Sequence, residues 1–150
     1  MSSIVEALYE LKYNPFEYGP YLASFYTVVD ESENNILLAQ LVIALCSHPF
    51  FSQKLFNSNK RSTIWSVFND RVQLYDLQER IDGFQVLTEQ SIQYCLINDW
   101  LSVNEKRLSL AKFDVVEPTF ISQKIAEKLG KLFSGHSVVE IYAFLGVKPR

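Results

Sequence analysis

Apolar residues recur along this 150-residue chain at helical rather than strand spacing almost throughout. Tyr21, Leu22, Phe25 and Val28 or Val29 share one face of a helix within YLASFYTVVD. The turn-rich NPFEYGP, with two prolines and a glycine, precedes it, and the polar ESENN follows. NILLAQLVIALCSH is apolar almost all round, which marks a central, enclosed helix ended by Pro49. FFSQKLF is a short amphipathic piece, and Ser62 or Thr63 is placed to cap a helix over IWSVFNDRVQ. In YDLQERIDGF, Leu77, Ile81 and Phe84 fall on one face and Gly83 supplies a stop. Thr88 is placed to cap EQSIQYCLINDW, with Glu89 favourable at the helix N-terminus.

One segment breaks the helical rhythm. LSVNEKRLSLAKF (Leu101 to Phe113) alternates, turns at NEK and alternates again, as a β-hairpin does. A further helix is expected over TFISQKIAEKLGKLF, with Pro118 at or near its start, and a last one over VVEIYAFLG, capped by Ser137. The pattern predicts a mainly α fold: a compact multi-helix domain of seven or eight helices carrying a winged-helix-like helix–helix–hairpin unit. It reads as one domain over 1–150, with an N-terminal helical part to about 70, the winged-helix-like part over about 71–115 and C-terminal helices over about 118–146.

Composition narrows the function. An apolar share of 48% spread along the chain argues against disorder. Net charge is −3, so there is no overall basic surplus of the kind an independent DNA binder carries. The opening MSSIVEALYELKYN lacks the basic and apolar segments of a signal peptide, and ILLAQLVIALC is too short to span a bilayer. A soluble, cytoplasmic protein without membrane contact is the expectation. Cys46 and Cys95, among apolar neighbours, are expected to be buried free thiols, with a disulfide the alternative.

The chemistry of a site is hard to find. His48 and His136 have no ligand neighbours at metal spacing, and His48 beside Pro49 suits a helix end bonded to backbone. No CxxC, HExxH, GxSxG, Walker loop or GxGxxG occurs, and five glycines leave little for a phosphate-cradling loop. Asp76, Glu79 and Asp82 share a helix face and could suggest acid–base chemistry; Asp76 can pair with Arg80 at i, i+4, and a solvated face explains the whole cluster. No catalytic residue, metal ligand or cofactor is assigned, and a non-enzyme is expected.

Does the helix–helix–hairpin unit read DNA? Its second helix, LTEQSIQYCLINDW, has no Lys or Arg and carries Glu89 and Asp99; Gln90 and Gln93 would have nothing to hold them on the backbone. The hairpin offers Lys106 and Arg107, enough for one or two phosphate contacts or for a solvated tip. Lys124, Lys128 and Lys131 form a stripe beside the apolar stripe of Ile121, Ile125, Leu129 and Leu132. They are candidate auxiliary DNA contacts, or an ordinary solvated face. Aromatics crowd the first half, and Tyr13, Phe16, Tyr18 and Tyr21 are the candidate protein interface, with packing on the helix of Ile36–Leu45 the alternative.

NPFEYGPYLASFY, LLAQLVIALCSHPFF, STIW, LQERIDGFQVLTEQSIQYCL and AEKLGKLFSGHSVVEIYAFLGVKP, in this order, resemble the middle component of the bacterial ABC-three-component conflict systems, including Lamassu-type anti-phage systems. The resemblance implies a small non-catalytic adaptor between an SMC/Rad50-like ABC ATPase subunit and an effector subunit such as a nuclease. It implies weak or indirect DNA contact at most, since DNA sensing would rest with the ATPase. A winged-helix DNA-binding regulator is the competing reading.

Overall fold

The structure is a computed structural model that describes residues 3–113 and 121–150. Its centre is α2 (Pro15–Val28), against which α3 (Ala39–Cys46), α7 (Gln85–Ile97) and α8 (Ile121–Phe133) all pack. The expectation of a turn over NPFEYGP and a helix only from Tyr21 is corrected here, because the helix begins at Pro15. Asn14 caps it, accepting from the Glu17 amide at 3.0 Å, and Pro15 at the first helical position gives up an amide that would lack a partner anyway. Pro20 is tolerated inside because Gly19 before it has no Cβ to clash with the proline ring. The same glycine admits Tyr94 of α7, whose Cδ1 would lie 2.6 Å from a Cβ at position 19.

NILLAQLVIALC forms a 3-10 turn over Asn35–Leu38 and then α3, whose Leu41 to Leu45 are all fully enclosed. Pro49 does more than end this helix. It opens α4 (Pro49–Phe56), which departs at 99°. His48 makes the corner as predicted, its Nδ1 accepting from the Phe50 and Phe51 amides at 3.1 and 3.4 Å. No single helix among the described residues is long and apolar enough to cross a membrane.

Thr63 caps α5 (Ile64–Val67) through a capping box with Ser66, but this helix stops well short of the expected Gln73. Asp70 accepts from the Gln73 amide and turns the chain into a 3-10 turn instead. In α6 (Leu77–Gly83) the predicted face of Leu77, Ile81 and Phe84 is buried. Thr88 does not cap α7. That helix starts at Gln85, continuing almost directly from α6, with the Thr88 amide bonded to the Phe84 carbonyl at 2.8 Å.

The hairpin is present as β1 (Leu101–Asn104) and β2 (Ser109–Lys112), antiparallel, with Leu101 opposite Lys112 and Asn104 opposite Ser109. The helix–helix–hairpin order therefore stands. The hairpin lies against the body through buried Asn35, whose side chain accepts from the Leu110 amide (2.6 Å) and donates to the Leu110 carbonyl (3.0 Å). The expected helix start at Pro118 lies outside the described residues. Gly130 of α8 lets the helix close on α2, since a Cβ there would meet the Phe25 carbonyl oxygen at 2.9 Å. Ser137 forms a capping box with Glu140 at the start of α9 (Val138–Leu145), and Gly146 ends it with φ 73°. One apolar core runs from Tyr18 to Val147. Nine α-helices stand among the described residues; the one without a predicted counterpart is α1 (Ile4–Lys12).

Candidate partner interface

The sequence of α1 dictates a helix with good ends and a misplaced apolar face. Ser3 and Glu6 form a capping box, Lys12 stands in the last turn, and Asn14 Nδ2 donates to the Leu11 carbonyl at 3.1 Å. Asn14 is also the cap of α2, and a residue before proline avoids helical geometry. One residue thus ends α1, begins α2 and forces the bend between them. Tyr13 attaches the arm to the body, with its ring 5.1 Å from Phe84, 6.0 Å from Tyr18 and 4.7 Å from Tyr9. Tyr9 joins Asp76, Glu79, Arg80, Gly83 and Phe84 around a shallow pocket of about 180 Å³.

With Tyr13 on the body side, the helical period carries the apolar residues to the opposite side. Ile4, Leu8 and Leu11 follow i, i+4, i+7 and are 80%, 59% and 73% exposed; Val5 beside them is 75% exposed. No residue of α1 is buried. Such a contiguous exposed apolar stripe is a candidate interaction surface. The i, i+4, i+7 spacing is that of a seam between packed helices.

The four aromatics predicted for this region divide. Tyr18 and Tyr21 are core residues, in contact at 4.8 Å, and burial raises the Tyr18 phenol pKa well above its ordinary value. Tyr13 is half-buried, and Phe16 is 69% exposed with its ring edge-on to Tyr94 at 5.1 Å. Of the four, only Tyr13 and Phe16 keep surface outside the core, and Tyr13 touches α1 through Tyr9. The exposed residues that sequence reasoning passed over are Ile4, Val5, Leu8 and Leu11. Their helical spacing was visible, but nothing in a sequence says which way an amphipathic face points.

The acidic cluster does not converge. Asp76 stands at the N-cap position of α6 with Oδ1 3.6 Å from His48 Nε2, Asp82 pairs with Arg150 at 2.8 Å, and Glu79 faces solvent. The predicted Asp76–Arg80 pair is corrected: Arg80 reaches across to the end of α3, donating Nε to the Ala44 carbonyl (3.0 Å) and Nη2 to Ser47 Oγ (2.6 Å). A cation there satisfies helix-end carbonyls. Burial, with Arg80 nearby, holds the His48 pKa below its ordinary value, so its neutral ring serves as the α4 cap. Cys46 and Cys95 are buried free thiols; desolvation pushes Cys95 up to about 12 and Cys46 higher still, which leaves both unreactive. Among the described residues no group of three His, Cys, Asp or Glu is placed to hold a metal ion.

The predicted DNA contacts also separate. Arg107 lies 3.8 Å from Glu31, and its carbonyl accepts from the Asn34 amide, so the hairpin tip is bound to the body beside an acid. Lys124 and Lys131 are exposed, whereas Lys128 donates to the Phe56 and Ser58 carbonyls at 2.6 and 3.1 Å. Lys128 and Lys131 share a groove with the loop after α4.

No curated protein and no solved structure matches this chain. Over residues 2–149 it matches the family model of the ABC-three component (ABC-3C) system Middle Component 3, and the chain belongs to that family.

Proposed function

We propose that this middle component is a non-catalytic adaptor that docks by the outward face of α1 on its system's SMC/Rad50-like ABC ATPase and links that subunit to an effector such as a nuclease. Anti-phage defence of the Lamassu type is the setting we assign to it. Family membership supports a life among other components of one system. The observation that carries the reading is the bare stripe of Ile4, Leu8 and Leu11 on a helix with well-formed ends. Burying an Ile or Leu side chain contributes about 1.5–3 kcal/mol, so three such residues contribute about 4.5–9 kcal/mol toward offsetting the cost of association. A helix of nine residues is marginal in water by itself, and a partner helix laid along the seam would stabilise it. The adaptor would couple the two subunits by binding one ATPase state a few kcal/mol better than the other.

Co-expression with the ATPase component tests this. The wild-type chain should co-elute with the ATPase, and Leu8→Glu with Leu11→Glu should abolish co-elution without altering the circular dichroism melting curve of the free chain. A wild-type chain that elutes alone, or a double variant that co-elutes as well as wild type, would defeat the proposal.

A further inference from the structure

Two cavities flank the loop that joins α4 to α5. One, of about 370 Å³, is lined by Ser58, Asn59, Lys60, Ser62, Lys128, Lys131 and Leu132. The other, of about 480 Å³, shares Ser58 and Ser62 and adds Lys54 with Phe50 and Gln53. Neither is lined by a carboxylate, although the chain carries 17 acids against 14 Lys and Arg. Three further pockets among the described residues each contain one: Asp30 and Glu31, Asp76 and Glu79, or Glu89. The fold has therefore gathered lysines from three places, α4, the loop and α8, into one acid-free groove.

The groove is held in shape. Asn59 Oδ1 accepts from the Arg61 amide and Ser62 Oγ accepts from the Asn59 amide, both at 2.9 Å, which fixes the turn that presents Lys60. Lys128 pins the start of the loop to α8 by donating to the Phe56 and Ser58 carbonyls. An ammonium has three donors, so Lys128 keeps one N–H beyond those two bonds. Lys60 and Lys131 are exposed and enter none of the ion pairs found among the described residues. Ammonium groups around a concave, acid-free surface fit the phosphodiester backbone of a nucleic acid. The cationic contacts are lysine ammonium groups, which suit phosphates and carry no sequence discrimination.

We infer that this groove, which is separate from the α1 face, binds the phosphate backbone of duplex DNA without sequence preference, with Lys60, Lys128 and Lys131 as the contacts and Lys54 at its far end. This makes the C-terminal lysines part of a composite site with the loop after α4, and leaves the hairpin tip outside it.

The test is fluorescence anisotropy of a labelled duplex titrated with the full chain at several salt concentrations. About three phosphate contacts predict a log–log salt slope of roughly −3. Lys60→Glu with Lys131→Glu, both exposed and remote from the core, should weaken binding more than tenfold at low salt and flatten the slope by about 2. Lys106→Glu with Arg107→Glu should change it less than twofold. No binding by the wild-type chain at the lowest salt would overturn the inference, as would equal losses from the two pairs of substitutions. Displacement of the duplex by inorganic phosphate, at concentrations where chloride of equal ionic strength does not displace it, would mark a small-anion site and overturn it as well.

Discussion

Helices α1 and α8 carry the same signature, an apolar stripe beside a charged one, and the fold uses them in opposite ways. In α8, Ile125, Leu129, Leu132 and Phe133 are buried against the body and Lys124 and Lys131 face out. At α1, Tyr13 just past its end holds the body side and Ile4, Leu8 and Leu11 face out. What differs is the connection. Gly130 lets α8 lie flat on α2, whereas Asn14 and Pro15 turn α1 away from the start of α2. An amphipathic pattern states that a face needs covering; the covering can come from the same chain or from another one.

The largest consequence is energetic. Leu129→Ala, in the fully enclosed stripe of α8, should cost about 2–5 kcal/mol in urea unfolding. Leu8→Ala should fall within about 0.5 kcal/mol of wild type in the free chain. Equal losses at the two positions would show that α1 is covered by its own chain and would erase the contrast.

Glycines sharpen the same comparison at smaller magnitude. Gly130→Ala places a Cβ 2.9 Å from a backbone oxygen that cannot yield easily, and should destabilise by about 1–3 kcal/mol. Gly83→Ala at the end of α6 meets nothing within 4 Å and should be neutral or stabilise by about 0.4–1 kcal/mol through the unfolded chain. Calorimetric melting of the two variants checks the opposite signs.

The smallest effect is one of pH. The folded pKa of His48 lies below its ordinary 6.5, so the unfolded chain takes up this proton first as pH falls. Its contribution is fully present above pH 6.5 and is lost as pH drops through the folded value. His48→Asn keeps a side chain able to cap α4 and removes that proton. The variant should therefore show a shallower fall in melting temperature from about pH 7 to about pH 5. An unchanged slope would exclude His48 as its source.

Much of the fold was legible. The enclosed helix α3, the face of Leu77, Ile81 and Phe84, the hairpin and the Ser137 cap all follow from periodicity and local chemistry. The errors came where a local signal was outweighed by packing. Gly19–Pro20 has turn chemistry, yet the glycine serves to admit Tyr94. Thr88 has cap chemistry, yet its amide was already taken by the Phe84 carbonyl. Asn35 stands in a polar run and is fully buried, because the hairpin supplies both of its partners from 75 residues away. The candidate interface was half legible: an aromatic-rich start was evident, but Tyr18 and Tyr21 went to the core, and the outward seam of α1 depends on a bend that only the packing of Tyr13 reveals.

The most direct measurement is amide hydrogen exchange along α1, in the free chain and in the presence of the ATPase component of its system. The account predicts rapid exchange over Ala7 to Lys12 in the free chain, slowed at least about tenfold in the complex, with α8 protected equally in both. A complex that forms while α1 exchanges as freely as before would contradict it.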